Sequence, residues 1–242
     1  MFYVALVFMG LVPYYFAVKD FKRYGSTLLA LPFIGLGVYH FDDVIQNELV
    51  YRILEGAAFF TSILTFFMSY KTKNLIKLSY YFVFVNVVAL FIFKDKWMFE
   101  LYFGSLIFSA FSLYLVATYM DKVFGSANID SITGLVLKAP KLALFLRFSL
   151  MNLGLYPPFA NALIMTASIV KSHLSLDGYL IMGWVFFANF FMAFRIMSKS
   201  LFGKPNELLT YKDIGQAYLW VFTVLFLALT LVGFYSLMEV LI

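Results

Sequence analysis

Apolar residues along the chain gather into eight long runs separated by short polar connectors. These runs cover residues 2–18, 26–41, 49–70, 75–93, 97–120, 140–170, 178–198 and 216–242. A helix needs about 20 predominantly apolar residues to span a bilayer, and most of the runs are close to that length. The pattern predicts an all-α fold, a polytopic transmembrane helical bundle with about eight spans.

The run 140–170 is broken in its middle by the segment Gly154-Leu155-Tyr156-Pro157-Pro158. Two consecutive prolines remove two backbone donors and clash with the preceding turn, so a continuous helix cannot pass through them. We predict a broken helix at Gly154, Pro157 and Pro158. Either the break faces protein or a wet cavity, because freed carbonyl groups need partners in a bilayer, or the prolines simply end one helix and begin another.

The composition agrees with a membrane protein. Of the 242 residues, 63% are hydrophobic and only 13% are charged, whereas soluble domains have about 25% charged residues. The chain has no cysteine and only two histidines, which excludes disulfides and thiolate metal sites. We predict no metal site and no cofactor, and no nucleic acid partner, because the basic residues are spread over short loops.

Lysine and arginine are distributed unevenly between the two sets of loops. If 140–170 crosses the membrane once, one set of loops holds twelve of them. These are Lys19, Lys22, Arg23, Lys71, Lys73, Lys77, Lys122, Lys138, Lys141, Lys199, Lys204 and Lys212. The other set holds Arg52, Lys94, Lys96 and Lys171. The first set is predicted to be cytoplasmic, with both termini outside; a ninth span, made by splitting 140–170, would weaken this bias.

Ionisable residues inside apolar runs are candidates for an ion path, because a charge at the bilayer centre costs about 2.5–3.5 kcal/mol and needs a partner or a wet cavity. Glu55 is either a carboxylate that exchanges protons or the partner of Arg52, three residues before it. Arg147 either lines a polar path or pairs with a carboxylate on a neighbour, or it extends its side chain toward the interface or makes one structural ion pair. Arg195, near the end of its run, is expected to extend its side chain toward the cytoplasmic face beside Lys199.

Four asparagines lie within apolar runs and are predicted to form hydrogen bonds between helices, each worth about 1 kcal/mol. They are Asn86, Asn152, Asn161 and Asn189. Asn152, five residues after Arg147, and Asn161 are also candidate ion-path residues, together with Glu55, Arg147 and Arg195. No catalytic residue is predicted; a cluster of His40, Asp42 and Asp43 is the single place where a membrane enzyme could hold a metal.

Four segments in the second half carry a family resemblance. They are 128–135 (NIDSITGL), 138–140 (KAP), 153–159 (LGLYPPF), and 194–195 (FR) followed by 201–205 (LFGKP). In order and spacing they resemble the C-terminal part of the antiporter-like membrane subunits, which include the proton-channel subunits of complex I and their relatives in multisubunit sodium/proton antiporters and membrane-bound hydrogenases. The resemblance divides the chain into 1–120, without a clear match, and 121–242.

The relay positions of that family are altered in this chain. The resemblance places a proton-relaying Lys or Glu about seven residues beyond the double proline, where this chain has Met165. It places a relay Lys in the helix before the polar connector, near Ser109 and Ala110. Arg147 is a poor substitute, because a guanidinium holds its proton.

The resemblance therefore implies a shortened antiporter-like subunit with a degenerate proton path. Its role would be structural or coupling, without catalysis of its own, in a complex I-like (NADH-quinone oxidoreductase), hydrogenase or antiporter assembly. The implied partners are the other membrane subunits and the lipid bilayer, in a bacterial or archaeal inner membrane. The alternative is a self-standing proton- or cation-coupled transporter that uses Glu55 and Arg147 in a cavity at the broken helix.

Overall fold

The structure, a computed structural model, describes residues 48–93, 96–172 and 174–241. Eight α-helices occupy these ranges: α1 (Glu48–Lys71), α2 (Leu75–Ile92), α3 (Lys96–Val123), α4 (Leu135–Lys138), α5 (Pro140–Leu153), α6 (Ala160–Ser172), α7 (Leu176–Ser200) and α8 (Gln216–Leu241). The predicted spans 2–18 and 26–41, and the predicted cluster of His40, Asp42 and Asp43, lie outside the described residues.

Five of the helices, α1, α2, α3, α7 and α8, are long and apolar enough to cross a membrane. They correspond to five of the predicted apolar runs, so the prediction of a helical membrane bundle is confirmed for the described part of the chain. The protein is an integral membrane protein.

The predicted helix break lies between α5 and α6. Helix α5 ends at Leu153 and α6 begins at Ala160, with Pro157 and Pro158 exposed in the connection. Helix α3 packs against both halves, so the two short helices lie along one long neighbour.

The two halves of the broken unit cross the bundle once. Helix α5 begins at the end of the bundle where α7 finishes, since the backbone amide of Val136 donates to the carbonyl oxygen of Leu201 at 3.3 Å. Helix α6 ends at Ser172, shortly before α7 begins at Leu176, which places the end of α6 at the opposite end. If the unit made two full spans, its start and its end would lie at the same end of the bundle, whereas here they lie at opposite ends.

Helix α2 lies at the centre of the bundle. Every residue of α2 except Lys77 is buried, against α1, α3 and α7. A helix that is apolar on all sides has no polar face to turn outward and is buried on all sides. At its start, the Asn74 side chain accepts hydrogen bonds from the amides of Ile76 and Lys77 and so satisfies two donors of the first turn.

Different charged residues form ion pairs at the two ends of the bundle. At one end, Lys73 and Lys199 meet at Asp130. At the other, Arg52 lies 4.0 Å from Asp177. Lys73 and Lys199 were assigned to one predicted set of loops and Arg52 to the other, so these three charges lie at the ends that the eight-span order requires. We call the end with Asp130 the basic end.

Candidate functional site

The buried polar side chains of the described residues are all uncharged. They are Thr61, Ser62, Thr65, Ser69, Ser79, Asn86, Ser105, Ser109, Ser112, Ser149, Asn152, Asn161, Ser168, Asn189, Ser200 and Ser236. None carries a carboxylate, an ammonium or a guanidinium. The polar groups of the described core are therefore hydroxyls and amides. They can hold helices together but carry no charge at neutral pH.

The most central polar group joins three helices. Asn86 of α2 and Asn189 of α7 exchange amide hydrogen bonds, with both nitrogen to oxygen distances at 2.9 Å. The hydroxyl of Tyr102, from α3, donates to the Oδ1 atom of Asn86 at 2.6 Å. All three side chains are fully buried. We call this group the central triad; it contains two of the four asparagines for which interhelical hydrogen bonds were predicted.

A second polar group lies at the helix break. The Nδ2 atom of Asn152 is 3.2 Å from the Ser105 hydroxyl and 2.6 Å from the Ser109 hydroxyl, both on α3. The Oδ1 atom of Asn152 accepts from the backbone amide of Asn161 at 2.9 Å. Asn152 thus links α3 to both halves of the broken unit and satisfies one amide in the first turn of α6. The structure brings Asn152 and the backbone of Asn161 together.

The Asn161 side chain is fully buried, and neither its Nδ2 nor its Oδ1 atom has a partner among the described residues. One turn further along α6, Met165 is also fully buried. The position where the resemblance places a relay Lys or Glu therefore lies in the packed core. A thioether is a weak acceptor there and donates no proton.

The break itself packs against α7. A Cβ atom on Gly154 would lie 2.6 Å from the Cβ atom of Ala193 and 2.8 Å from Cε2 of Tyr156. The Tyr156 ring stacks on Phe190 of α7, with ring centroids 4.7 Å apart. On one side of the break, Gly154 contacts protein, as the first interpretation expects. On the other side, Pro157 and Pro158 are exposed between the end of α5 and the start of α6.

Glu55 and Arg147 are not joined in one site by the described residues. Glu55 is half-buried on α1, and Arg52 pairs with Glu48 at 3.4 Å and Asp177 at 4.0 Å instead of with Glu55. Arg147 is exposed on α5 and forms no ion pair with any described residue. The carboxylates within 4.0 Å of the Arg52 guanidinium come from the first turns of α1 and α7.

Arg195 holds the C-terminal end of α1. Its two terminal nitrogens donate to the carbonyl oxygens of Ser69 at 2.7 Å and Thr72 at 2.6 Å, and its Cζ atom lies 5.8 Å from the centroid of the Tyr70 ring. The last carbonyl groups of a helix have no partners within the helix, and a cation there interacts favourably with the helix dipole. The half-buried guanidinium is thus a cap supplied by a neighbouring helix.

Asp130, which was not among the predicted site residues, connects three parts of the chain at the basic end. Its Oδ1 atom lies 2.6 Å from Nζ of Lys199 and its Oδ2 atom 2.6 Å from Nζ of Lys73. The hydrogen bond from Lys199, and then that from Lys73, hold the pKa of Asp130 below its ordinary value. Nearby, the backbone amide of Ile129 donates to the carbonyl of Lys73 at 2.9 Å. This carboxylate therefore ties the connector to α7 and to the loop between α1 and α2.

Asp213 is the second residue that sequence reasoning missed. Its two carboxylate oxygens accept from the backbone amides of Lys141 at 3.0 Å and Leu142 at 2.9 Å, in the first turn of α5. This is the usual work of an N-cap residue, but the cap comes from about seventy positions along the chain. A pattern confined to the α5 segment could not reveal it; an isolated Asp in the connector before α8 was the only signal.

The described residues contain no group of three or more His, Asp or Glu side chains placed to hold a metal ion. Their polar groups join and cap helices, and Asn161 alone of the candidate side chains is buried with both polar atoms unpartnered.

No family model matches the chain, and no curated protein matches it. What the protein does is therefore inferred from its own residues and their geometry.

Proposed function

We propose that this protein is a shortened antiporter-like membrane subunit with a structural or coupling role. Its assembly would be complex I-like, a membrane-bound hydrogenase or a multisubunit cation/proton antiporter. The structural or coupling role is supported by one observation: every buried polar side chain in the described residues is uncharged. A path that moves protons across a bilayer uses titratable side chains in the membrane, and the core described here has none with a charge to exchange.

The arrangement of the motif segments supports the antiporter-like scaffold. In space, 128–135 packs on 201–205: the amide of Gly134 donates to the carbonyl of Phe202 at 3.1 Å, and the Thr133 hydroxyl donates to the carbonyl of Lys204 at 2.7 Å. A Cβ atom on Gly134 would lie 2.6 Å from the nitrogen of Pro205. Two segments that share the family resemblance thus form one contact, which gives a physical reason for their occurring together.

The relay positions support a degenerate path. Met165 is buried, and Ser109, near the expected relay Lys of α3, is engaged by Asn152 at 2.6 Å. Close to the position where the resemblance places the relay Lys, α3 therefore carries a hydroxyl group. That hydroxyl is engaged in a hydrogen bond with an amide of α5.

Arg147 supports the presence of a partner subunit. It is exposed on α5, about seven residues, or roughly 10 Å, from the start of the helix. A guanidinium at that depth is costly unless a carboxylate or phosphate compensates it, and the described residues supply no carboxylate. A neighbouring subunit with an acidic residue would do so, in a bacterial or archaeal inner membrane with the basic end cytoplasmic and both termini outside.

The proposal is tested by deleting the gene and by purifying the chromosomally tagged chain in mild detergent. We expect the tagged chain to copurify with larger membrane subunits, and the deletion to reduce assembly and activity of that complex. Arg147→Ala should weaken copurification, whereas Lys204→Ala, an exposed cation at the basic end, should not. Membrane oxidoreductase and antiporter complexes that remain intact and fully active in the deletion strain would refute the proposal.

A self-standing transporter remains the alternative, with Glu55 as its titratable residue. The purified chain in vesicles would then show flux driven by a pH gradient, and Glu55→Gln would abolish that flux. We expect no flux from the isolated subunit.

A further inference from the structure

A cavity of about 480 Å³ opens at the basic end between α3, α5 and α8. Its volume falls within the roughly 300–1,000 Å³ of small-molecule pockets. None of the predicted ion-path residues lines it, so it is separate from the polar groups of the core. The residues that matter for its chemistry are Leu115, Tyr119, Phe145, Lys212, Asp213 and Phe222.

The cavity changes from polar to apolar along the helix axes. Tyr119 lies near the end of α3 at the basic end, and Leu115 lies one turn, about 6 Å, further into the bundle. On α8, Tyr218 lies in the first turn and Phe222 one turn deeper. Lys212 lines the polar end, and the Tyr119 hydroxyl donates to its carbonyl oxygen at 3.1 Å. This gradient follows the direction in which a bilayer changes from headgroup to hydrocarbon.

Two charged residues, Lys212 and Asp213, line the polar end. Both oxygens of Asp213 accept hydrogen bonds from the amides of Lys141 and Leu142, at the start of α5, where the helix dipole favours a carboxylate. Lys212 is exposed and forms no ion pair with the described residues. Its ammonium is therefore available to an anionic group that lies at the mouth of the cavity.

We propose that this cavity binds one anionic glycerophospholipid. The phosphate lies at the Lys212 ammonium, and one acyl chain runs inward along Leu115 and Phe222. Basic pockets between membrane helices bind anionic lipid headgroups by the same combination of charge and apolar depth. The proposal stands independently of the subunit role, because it uses only α3, α5, α8 and the connector before α8.

The test is lipid binding to the full-length protein in detergent, followed by native mass spectrometry. Phosphatidylglycerol and phosphatidylcholine with identical acyl chains are titrated in parallel. We expect one phosphatidylglycerol to bind about fivefold more tightly than phosphatidylcholine, as one lysine at a membrane surface provides. Lys212→Gln should remove that preference. Lys204→Gln, an exposed lysine at the same end and outside the cavity lining, should keep it.

A second variant tests the acyl chain. Leu115→Trp, which fills the apolar part, should reduce the binding of both lipids. Equal binding of the two lipids to the unaltered protein would overturn the anionic headgroup. A preference that survives in Lys212→Gln, or binding that is unchanged in Leu115→Trp, would place the lipid elsewhere.

Discussion

Single residues at the helix break have little freedom to change. Gly154 lies where α5 meets α7, with a side chain of α7 within 2.6 Å of the place a Cβ atom would take. Leu155, next in the chain, is buried with φ of +57°, a left-handed conformation that costs an L-residue about 1–2 kcal/mol. The geometry of the break therefore depends on tight packing around two adjacent positions.

Gly154→Ala should destabilise the protein by about 1–3 kcal/mol, because the added methyl group overpacks a closed contact. Thermal denaturation in detergent measures this. Gly183→Ala is the matched control on α7: nothing lies within 4 Å of its added Cβ atom, and the exposed helical position should gain about 0.5–1 kcal/mol. Equal effects of the two substitutions would contradict the close contact.

At the scale of elements, the helices are joined through groups that lie far apart in the chain. Helix α2 contributes a nearly continuous apolar surface, so its register against α7 depends on its polar exceptions. Asn86 and Asn189 supply that register through paired amides. Asp213 and Arg195 act in a similar way at helix ends, since each supplies a cap to an element other than its own.

A double-mutant cycle on Asn86→Leu and Asn189→Leu should give a coupling energy of about 1 kcal/mol, the scale of hydrogen bonds between membrane helices. Each single variant leaves a buried amide without its partner, whereas the double variant removes both. Denaturation in detergent provides the four free energies. The control combines Asn86→Leu with Ser236→Ala, which removes a buried hydroxyl that bonds within α8; the two losses of stability should add. If the losses from Asn86→Leu and Asn189→Leu also added, the hydrogen bonds of the central triad would not couple the two helices.

At the scale of the whole molecule, the basic end acts as one connected surface. The connector 124–134 contacts the start of α2, where the backbone amide of Leu75 donates to the carbonyl of Ala127 at 2.9 Å. It contacts the segment after α7, where the side-chain Nδ2 atom of Asn206 donates to the carbonyl of Ser131 at 3.1 Å. Asp130 adds two lysines to the same surface. The broken unit begins beside this surface, which holds its first half in place.

Asp130→Asn should lower stability by about 1 kcal/mol or less at neutral pH, because water screens partly exposed ion pairs. The pKa of Asp130 is lowered in the folded protein. Its contribution is therefore present above the ordinary aspartate pKa and is lost as the pH falls through the lowered value. Thermal denaturation at neutral pH and at successively lower pH should show the two proteins converging in acid. A deficit in Asp130→Asn that stays constant at every pH would exclude the ion pairs as its cause.

The sequence by itself determined the class of protein and the positions of the five long apolar helices in the described part of the chain. Apolar runs of membrane length leave few alternatives to helices, because a bilayer offers no hydrogen-bond partners to an open backbone. The double proline likewise determined where a helix must break, since it removes donors whatever its surroundings. Three of the four asparagines, Asn86, Asn152 and Asn189, were recognisable as bonding groups because an amide in an apolar run needs partners. The predicted hydrogen bond of the Asn161 side chain is wrong, because neither of its polar atoms has a partner among the described residues.

Tertiary structure alone decided which groups meet. The Arg52 guanidinium lies 4.0 Å from Asp177 of α7, Asp213 caps a helix about seventy residues before it, and Asn152 engages hydroxyls on α3. These contacts depend on how helices rotate and pack, which spacing along one helix does not specify. The same packing places Met165 in the core and leaves Arg147 exposed, because the rotation of each helix about its axis is decided by its neighbours.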